Sequence, residues 1–397
     1  MDTLLFDELV YEMVAINAMK KVIVVTNIPN PYRVPLFNEL WRLCNDQHIE
    51  FKVIFGAQNY ARRKFVLDMN DCLFPYEILD SKKINFGDNE KTVFTYKGLL
   101  RSLKKENPDC VIINGFSVGT VRLWWRSWWK KTPFIIWSGT VKSRGGKFSA
   151  LRVFQRKMLQ RRAAAFIAYG QRAKEYLTDL GAKSEKIFIA RNTVDTRFFS
   201  EQTDLERKKV AHDILKIHFT YVGFIIRKKN LEQLLKAVSL VASERKDFVL
   251  DLIGDGLDKN YFEEYVRKHK LEDVVHFAGF VQKNNLPEWL AKSSCFVFPS
   301  NYDIWGLVVN EAMAAALPCI SSIHSGVTAD LIEDGKNGFA LDFSKEKIVA
   351  EKMKWILDHP REAVAMGHNA RKTVAGKASI YVSAKGMMEA IHFVLDK

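Results

Sequence analysis

Cysteine is scarce in this 397-residue sequence, and its spacing is not that of a disulfide framework or a zinc site. The five cysteines are scattered and include no CxxC pair: Cys44, Cys72, Cys110, Cys295 and Cys319. An odd, dispersed set argues against disulfide cross-links and is typical of a reducing compartment. We therefore expect a cytoplasmic protein.

Long hydrophobic runs are also missing. No apolar stretch reaches the roughly 18 residues that a membrane-spanning helix needs. Residues 1–18 contain four acids and no base, which does not fit the basic start of a signal peptide. Their apolar residues share one helical face, whereas Met19 begins a run into a first strand and resembles a natural start. We interpret residues 1–18 as a short amphipathic extension, native or not, and assign it no function.

Acidic residues are absent from one long basic segment. Thr120 to Ala165 contain twelve Lys and Arg residues and no Asp or Glu, in a chain with a net charge of +14. Charge of this size predicts an anionic partner. We do not expect that partner to be nucleic acid, because no groove-entering motif accompanies the charge.

Apolar runs of strand length alternate with helical patterns, which predicts parallel βαβ units in an α/β protein. The predicted strands are residues 22–26, 51–55, 111–114, 134–137 and 165–168, then 218–222, 249–253, 275–278, 295–298 and 319–321. A polar stretch, SEQTDLERKK, interrupts the alternation and is predicted to be a linker. We expect two Rossmann-like, doubly wound lobes, residues 19–200 and 201–378, with a ligand cleft between the carboxyl ends of their sheets. The last helical segment, residues 379–397, packs either on its own lobe or back across the cleft.

Four tryptophans lie in the basic segment at helical spacing, within VRLWWRSWWKK. In one interpretation a crossover helix buries them against the sheet while the bases form a solvated rim. In the other, the helix lies at a membrane interface, with tryptophan at headgroup depth and bases on anionic lipid. The further bases of residues 142–162 favour the second interpretation. We predict that the first lobe docks peripherally on the inner face of the plasma membrane.

The segment FVFPSNYDIWGLVVNEAMAAALPCI, which begins at Phe296, carries the strongest chemical signal. A strand leads into a loop, and Gly306 opens a helix. The N–H groups of Gly306, Leu307 and Val308 would be unpaired donors at the positive end of the helix dipole. Such a terminus binds a phosphate.

Two acids flank this helix start. Glu311 can accept two hydrogen bonds from a vicinal diol such as that of a ribose, and Asp303 can hold a sugar hydroxyl. Alternatively, Asp303 is a turn residue and Glu311 a solvated helix residue. The apolar flank VVNEAMAAAL favours the ligand-binding interpretation, because a carboxylate is rarely placed among such residues for solubility alone.

This segment resembles the acid-x7-acid signature of retaining glycosyltransferase family 4, which has the GT-B fold. Further motifs resemble the family in the same order: IARNTVDTRFF, YVGFIIRKKNLEQLLKA, DLIGDGLDKNYFEEYV, VVHFAGFVQKNNLPEWLAKSSCFVFPS and SGVTADLIEDGKNGFAL. These motifs span almost the whole second lobe, whereas the first lobe matches loosely. The resemblance implies an acceptor-binding first lobe and a second lobe that binds a nucleotide sugar.

The resemblance also implies roles for individual residues of the second lobe. Glu311 would bind the ribose, and Asp303 would contact the donor sugar. The N–H groups of residues 306–308 would hold the distal phosphate. Lys229 would neutralise the diphosphate beside Gly223, as a flexible point charge.

The sequence departs from the family pattern at two positions. Phe224 stands where an arginine is usual, which removes one expected cation, and Arg227 or Lys228 is predicted to compensate. Asp303 stands where glutamate is usual and is one methylene shorter. These departures leave open a nucleotide-binding protein with little catalytic activity.

No Asp-x-Asp pair occurs in the sequence, and no His or Cys group has the spacing of a metal site. We expect neither a metal nor a cofactor beyond the nucleotide sugar. Lys229, neighbouring bases and the helix start at Gly306 would then stabilise the leaving group. The resemblance implies retention of anomeric configuration. A departing diphosphate that helps to deprotonate the acceptor would need no base from the protein.

The first lobe contains two candidate acceptor-binding segments. TNIPNPYRVPLFNEL follows the first strand, and its prolines predict an extended loop that reaches the cleft. Arg33 in this loop is a candidate for a phosphate of the acceptor or the donor, or else a surface residue stacked on Tyr32. Ser138 and Gly139, at the end of a later strand, are weaker candidates.

Together these expectations describe a hexosyltransferase that uses a nucleotide sugar, with UDP preferred over GDP. Its acceptor would be lipid-linked or a saccharide in cell-envelope glycan synthesis. A nucleotide-sugar epimerase of the same fold is the main alternative enzyme, although such an enzyme is not expected to carry the pair of acids.

Overall fold

Two parallel β-sheets, one in each half of the chain, form the framework of the protein. The computed structural model describes residues 19–58, 68–86, 91–142, 149–209 and 216–397. The helix predicted for residues 1–18 lies outside the described residues, as does part of the basic segment. The expected architecture of two α/β lobes is confirmed.

The strands number β1 to β15 in chain order. They are β1 (Lys21–Thr26), β2 (Glu50–Phe55), β3 (Tyr76–Ile78), β4 (Lys83–Phe86), β5 (Lys91–Phe94), β6 (Cys110–Asn114), β7 (Phe134–Ser138), β8 (Ala165–Ala168), β9 (Ile187–Ile189), β10 (Ile217–Val222), β11 (Phe248–Ile253), β12 (Val275–Gly279), β13 (Cys295–Phe298), β14 (Cys319–Ser322) and β15 (Gly338–Leu341). The first sheet has the order β3-β2-β1-β6-β7-β8-β9 and the second β12-β11-β10-β13-β14-β15. Strands β4 and β5 form a separate antiparallel ribbon.

The helices number α1 to α14. They are α1 (Val34–Asn45), α2 (Leu99–Glu106), α3 (Val118–Arg126), α4 (Ala150–Gln160), α5 (Gln171–Asp179), α6 (Thr196–Arg207), α7 (Leu231–Ala242), α8 (Lys259–Lys268), α9 (Leu286–Lys292), α10 (Leu307–Ala314), α11 (Gly326–Leu331), α12 (Glu346–Asp358), α13 (Pro360–Ala378) and α14 (Ile380–Leu395).

The ten predicted strands all form, each within one residue of its predicted bounds. They are nearly continuous apolar runs because helices cover both faces of each sheet; in β1, for example, all but the first residue are buried. The sequence analysis missed β3, β9, β15 and the ribbon, which are only three or four residues long.

The chain passes between the lobes through helix α6, which contains most of the predicted linker. The Asp195 side chain caps the helix by accepting a hydrogen bond from the Phe198 N–H at 3.0 Å. The polar stretch SEQTDLERKK forms the later turns of α6, and its Thr203 is buried. The stretch is polar because one side of α6 is exposed, while its other side packs on α9 and α10.

The carboxyl-terminal helix crosses back to the first lobe. Helix α13 belongs to the second lobe, and the chain then turns at Ser379, whose hydroxyl accepts a hydrogen bond from the Val382 N–H at 3.4 Å. In α14, Met387 and Ile391 are fully buried in the core of the first lobe, where the helix packs on helix α1 and strands β8 and β9. The first lobe is therefore completed by residues from the other end of the chain.

A buried carboxylate joins the two lobes. Asp330, in helix α11 of the second lobe, accepts a hydrogen bond from Arg191 Nε at 2.8 Å. Its other oxygen accepts one from the Gln171 N–H, at the start of first-lobe helix α5, at 2.9 Å. Burial raises the pKa of Asp330, and both partners oppose that shift. Arg172 adds a hydrogen bond across the interface to the carbonyl of Ile323.

The tryptophan-containing helix leaves most of its indoles in solvent. Trp124 is half-buried, whereas Trp125, Trp128 and Trp129 are 54%, 59% and 70% exposed. The interpretation in which the four tryptophans form core is therefore wrong for these three. The physical reason is that Leu123 faces the core and α3 ends at Arg126, before the last two indoles. Within the described ranges, no helix combines the length and hydrophobicity needed to cross a bilayer.

Candidate functional site

A cavity of about 1670 Å³ lies between the carboxyl ends of the two sheets, where the sequence predicts a cleft. Its walls come from both lobes and contain most of the predicted site residues. The lining includes Pro31, Tyr32 and Tyr169 from the first lobe and Gly223, Lys229, Asp303, Gly306, Leu307, Val308 and Glu311 from the second.

The loop between β13 and α10 is held rigidly at one wall of this cavity. The Asp303 carbonyl accepts a hydrogen bond from Gly326 N–H at 3.1 Å, and the Trp305 carbonyl accepts one from Val327 N–H at 3.1 Å. The Trp305 indole is buried and donates to Asn310 Oδ1 at 2.9 Å. These bonds fix the loop backbone on both sides and place Asp303 at the cavity wall.

Helix α10 begins at the cavity wall, as predicted. Gly306 precedes it with φ +109°, a conformation that a residue with a Cβ rarely adopts. A Cβ there would also lie 2.8 Å from the Phe298 ring. Among the described residues, the N–H groups of Gly306, Leu307 and Val308 have no hydrogen-bond acceptor. They are free donors at the positive end of the helix dipole.

Glu311 lies on the same helix with its carboxyl group enclosed. The residue is 1% exposed, and its Oε1 has no hydrogen-bond partner within the described part of the chain. Burial raises the pKa of Glu311 to about 8, and the charge of Lys283 opposes this shift. Glu311 is therefore not a solvated helix residue. It is a buried acceptor that lacks a donor.

Lys229 and Asp303 form an ion pair that the sequence analysis did not predict. Lys229 Nζ lies 2.6 Å from Asp303 Oδ2, and both side chains are mostly buried. Lys229 reaches this position from a short 3-10 turn, Arg227–Lys229, that follows strand β10. The two predicted site residues therefore lie together and balance each other's charge.

Comparison with known families identifies the chain. The model described as "Glycosyl transferases group 1" matches residues 202–373, and the model described as "Glycosyltransferase Family 4" matches residues 71–198. The chain belongs to the family 4-like glycosyltransferases. The match covers both lobes, including the first, which the sequence motifs related only loosely to this family.

Individual relatives are distant. This family member is 28% identical over 160 residues to the alpha-D-kanosaminyltransferase of Streptomyces kanamyceticus, covering 40% of this chain and 41% of that protein. It is 25% identical over 288 residues to the capsular polysaccharide biosynthesis glycosyltransferase CapM of Staphylococcus aureus, covering 63% of this chain and 74% of CapM. The first alignment thus spans less than half of the relative's own length.

Solved structures show that the fold is GT-B. The crystal structure of HepE from Anabaena, determined with UDP, superposes with a TM-score of 0.74 at 16% identity. The superposition covers 94% of this chain and 99% of HepE. At this level of identity, the likeness establishes the shared architecture of two Rossmann-like lobes.

The two residues predicted to replace the missing family arginine lie outside the cavity of this glycosyltransferase. The Arg227 guanidinium stacks over the Tyr261 ring at 4.0 Å and lies 3.9 Å from Asp258. Lys228 is exposed, and neither base lines the cavity. Phe224, in contrast, lines it with 46% of its surface exposed. The local compensation proposed from the sequence is therefore not supported by the geometry.

A different base, Lys283, enters the cavity from the second lobe. It lies on a 3-10 turn, Lys283–Asn285, shortly after strand β12. Its ammonium group is 5.4 Å from the Tyr32 ring of the first lobe and 5.3 Å from the Phe198 ring. The sequence analysis missed this residue. Lys283 follows the carboxyl end of a parallel strand, and this position could have indicated a cavity residue, because the carboxyl ends of the strands meet at the cleft.

The first-lobe candidates have different surroundings. Arg33 does not stack on Tyr32; its guanidinium lies 4.2 Å from the centre of the Trp137 ring. The buried Ser138 hydroxyl accepts a hydrogen bond from the Thr140 N–H at 3.1 Å, and Ser138 does not line the cavity. Gly139 is a close-contact position, since a Cβ there would lie 2.8 Å from Ile304 of the second lobe.

The enclosed carboxyl group predicts a stability effect of Glu311→Gln. The folded-state pKa of Glu311 is about 8, against an ordinary 4.5. Between these values, the folded wild type keeps a proton that the unfolded chain has lost, so its stability falls as pH rises. The Gln variant lacks this loss. We expect the free energy of unfolding of this variant, relative to that of the wild type, to increase by up to a few kcal/mol as the pH rises from about 5 to about 8.

Urea unfolding of both proteins across this pH range measures the difference. The exposed Glu389→Gln variant is the control and should follow the wild type. A constant stability difference between Glu311→Gln and wild type over the whole range would contradict the assignment.

Proposed function

We propose that this protein is a retaining glycosyltransferase that transfers a hexose-type sugar from a nucleotide sugar to a lipid-linked or saccharide acceptor. A UDP-sugar is the preferred donor and a GDP-sugar the alternative. The observation that carries the proposal is the enclosed acceptor at Glu311 beside the free N–H groups of residues 306–308. These groups match the needs of a ribose diol and a phosphate.

The donor is bound by groups that folding leaves without partners. Glu311 accepts hydrogen bonds from the two ribose hydroxyls, which replace the water that its carboxylate lost on burial. The N–H groups of residues 306–308 hold the distal phosphate. Two further groups supply positive charge for the diphosphate from separate strand ends: Lys283, and Lys229, which is paired with Asp303 in the structure. Lys283 thereby takes the place of the cation that is missing at Phe224.

Asp303 changes partner when the donor binds. In the structure its carboxylate is paired with Lys229 at 2.6 Å. A diphosphate shares that lysine and weakens the pair, which frees the carboxylate to accept a hydrogen bond from a hydroxyl of the donor sugar. The loop bonds around Trp305 keep Asp303 in place during this exchange.

We further propose that transfer needs no metal and no cofactor. The support is the chemistry of the available donors: within the described residues, no three His, Cys, Asp or Glu side chains lie together as a metal site. Lys229, Lys283 and the α10 terminus carry the positive charge instead, as preorganised electrostatic groups. The leaving diphosphate then receives the acceptor proton, and the configuration at the anomeric carbon is retained.

The relatives agree with a role in envelope glycans. CapM is named for capsular polysaccharide biosynthesis, and the HepE structure contains UDP. We infer cell-envelope glycan synthesis in the cytoplasm as the setting for this chain.

Nucleotide binding tests the donor site. UDP titrated into the wild type in a calorimeter should bind, and Glu311→Gln should weaken binding by roughly 1–3 kcal/mol because a charge-assisted hydrogen bond is lost. Near pH 7 the wild type should release protons on binding, since the diol favours the ionised form of Glu311. The Gln variant should release none. Unchanged UDP affinity in a folded Glu311→Gln variant would contradict the ribose contact.

Activity assays test whether Lys229, rather than a metal ion, stabilises the charge of the leaving diphosphate. Transfer from UDP-sugars to a panel of acceptors should persist in EDTA, and Lys229→Ala should lower turnover by at least about tenfold in a protein that remains folded, although the variant leaves the Asp303 carboxylate unpaired. The matched control is Lys228→Ala, which removes an exposed base one residue away. Recovery only with magnesium or manganese would overturn metal independence. Conversion of the donor without any acceptor would indicate an epimerase instead.

The exposed tryptophans support a peripheral membrane contact of the first lobe. Trp125 and Trp129 stack with ring centres 5.3 Å apart, and Arg162 lies 4.4 Å over the Trp128 ring. Lys130 and Lys131 extend the basic surface beside them. Exposed indoles among bases suit the headgroup region of an anionic bilayer.

Helix α4 adds apolar side chains to the same basic segment. Leu151 and Phe154 are 78% and 66% exposed and lie on one side of the helix at a spacing of three residues. Bases flank them in the sequence. We propose that this segment attaches the first lobe reversibly to the inner face of the plasma membrane while the donor cavity stays open to the cytoplasm.

Vesicle co-sedimentation tests this attachment. Binding should increase with the fraction of anionic lipid and decrease with salt, because exposed charges are screened. Charge reversal at Lys130, Lys131 and Arg161 should reduce binding, since each base near the surface contributes about 1 kcal/mol. UDP affinity should not change.

The matched control reverses three exposed bases of the second lobe, Arg267, Lys268 and Lys347, and should still sediment with vesicles. Equal binding to neutral and anionic vesicles would reject the electrostatic account. Failure to bind either would favour a soluble acceptor.

A further inference from the structure

Neighbouring strands of the first sheet converge on Arg33, which does not itself line the cavity but lies between the lining residues Tyr32 and Val34 in the sequence. Asn114 ends β6, Trp137 lies at the end of β7, and Tyr169 follows β8. These strands are adjacent in the sheet, so their carboxyl ends place the three side chains side by side. We call Arg33 and these three residues the Arg33 cage.

The contacts in the cage orient a guanidinium and a hydroxyl group. The Arg33 guanidinium lies 4.2 Å from the Trp137 ring centre and 5.4 Å from that of Tyr169. Arg33 Nη2 donates a hydrogen bond to the Tyr169 hydroxyl, and Asn114 Nδ2 donates to the same oxygen at 2.9 Å. Because this oxygen accepts two hydrogen bonds, its own proton remains available to donate into the cavity that Tyr169 lines.

The charge in the cage has no counter-ion. Among the described residues, no carboxylate lies within ion-pair distance of Arg33, and Arg33 Nη1 is buried without an acceptor. The Trp137 Nε1 is also buried without one. The aromatic rings offset part of the desolvation of the cation. An unsatisfied buried donor still reduces stability, so an arginine that served only packing would be poorly placed here.

The cage lies close to the proposed donor site. A Cβ at Gly139 would lie 2.3 Å from the Tyr169 ring and 2.8 Å from Ile304, so Tyr169 packs beside the loop that carries Asp303. Tyr169, Asp303 and Glu311 line the same cavity. Of the cage residues, Tyr169 lines this cavity, whereas Arg33 lies behind its hydroxyl group, to which it donates a hydrogen bond. A group that reaches the cage through the Tyr169 hydroxyl would therefore approach from the side of the proposed donor site.

We infer that the Arg33 cage binds an oxyanion of the acceptor, a phosphate or a carboxylate, and thereby positions the hydroxyl that receives the sugar. This inference rests on the proposed function, because it takes the Glu311 side of the cavity as the donor site. A planar guanidinium backed by aromatic rings and joined by a hydroxyl donor matches the two oxygens of either anion. A neutral acceptor would gain less, because its hydroxyl groups accept hydrogen bonds from the cation without pairing its charge.

Calorimetry with simple anions tests the cage. The protein is first saturated with UDP so that the phosphate-binding groups of the second lobe are occupied, and is then titrated with inorganic phosphate, with glucuronate or with neutral glucose. One of the two anions should bind with a stoichiometry of one, and glucose should not. Comparison of phosphate with glucuronate identifies the preferred oxyanion.

Variants assign the binding to Arg33. Arg33→Gln should weaken anion binding by at least about tenfold, the loss expected for a hydrogen bond to a charged group, while UDP affinity stays constant. Arg33→Lys should retain part of the affinity, and Tyr169→Phe should reduce it less than Arg33→Gln does. Exposed Arg101→Gln is the matched control and should behave as the wild type.

Thermal unfolding distinguishes an anion-binding role of Arg33 from a role in packing alone. In buffer without phosphate, Arg33→Met should unfold at the same temperature as the wild type or higher, because it removes a buried donor without an acceptor. The wild type alone should gain stability when phosphate is added. Anion binding that is unaffected by Arg33→Gln, or the absence of anion binding by the wild type, would overturn the inference. Absence of UDP binding would overturn the proposed function instead, and the anion titration without UDP would still report on Arg33.

Discussion

Asp330 joins the lobes through a buried carboxylate, and the geometry of the cleft depends on this contact. One of its oxygens accepts a hydrogen bond from the Arg191 side chain at 2.8 Å, and the other accepts one from the backbone N–H of Gln171 at 2.9 Å. The second bond anchors the start of helix α5, immediately after Tyr169, against the second lobe. Tyr169 and Gly139 consequently lie against the loop that carries Asp303. The two halves of the cavity face each other because this interface holds them together.

Each lobe contains a buried polar group that folding leaves unsatisfied in or near the cleft. Glu311 Oε1 in one lobe and Arg33 Nη1 in the other are buried without partners, whereas buried Asn310, only one residue from Glu311, both donates and accepts. Buried donors and acceptors without hydrogen-bond partners reduce stability. Proteins commonly retain such groups where a bound ligand supplies the missing partner. The two groups also differ in chemistry, since Glu311 offers an acceptor for hydroxyls at the cavity wall and Arg33 offers a donor for an oxyanion in the other lobe.

Parts of the fold were readable from the sequence because their signals are local. The buried parallel strands of the sheet interiors are continuous apolar runs of four to six residues, so their bounds were predicted within one residue. Strands β3, β9 and β15 were missed because they are only three or four residues long and lie at the sheet edges. The tryptophan helix shows the limit of this approach. Helical spacing indicated a buried face but could not show that the helix ends at Arg126, which leaves Trp128 and Trp129 in solvent.

By itself, the sequence determined the two lobes and the arrangement of Asp303, Gly306 and Glu311, because these residues lie on one strand, loop and helix whose local geometry fixes their relative positions. Only the tertiary structure decided the rest. Arg33 and Tyr169 are 136 positions apart, and Asp330 and Arg191 are 139 apart. Such pairs meet only through strand order and lobe packing, which no local pattern encodes. For the same reason, Arg227 and Lys228 were predicted as cavity bases from their proximity in sequence, whereas Lys283 enters the cavity from a different strand end.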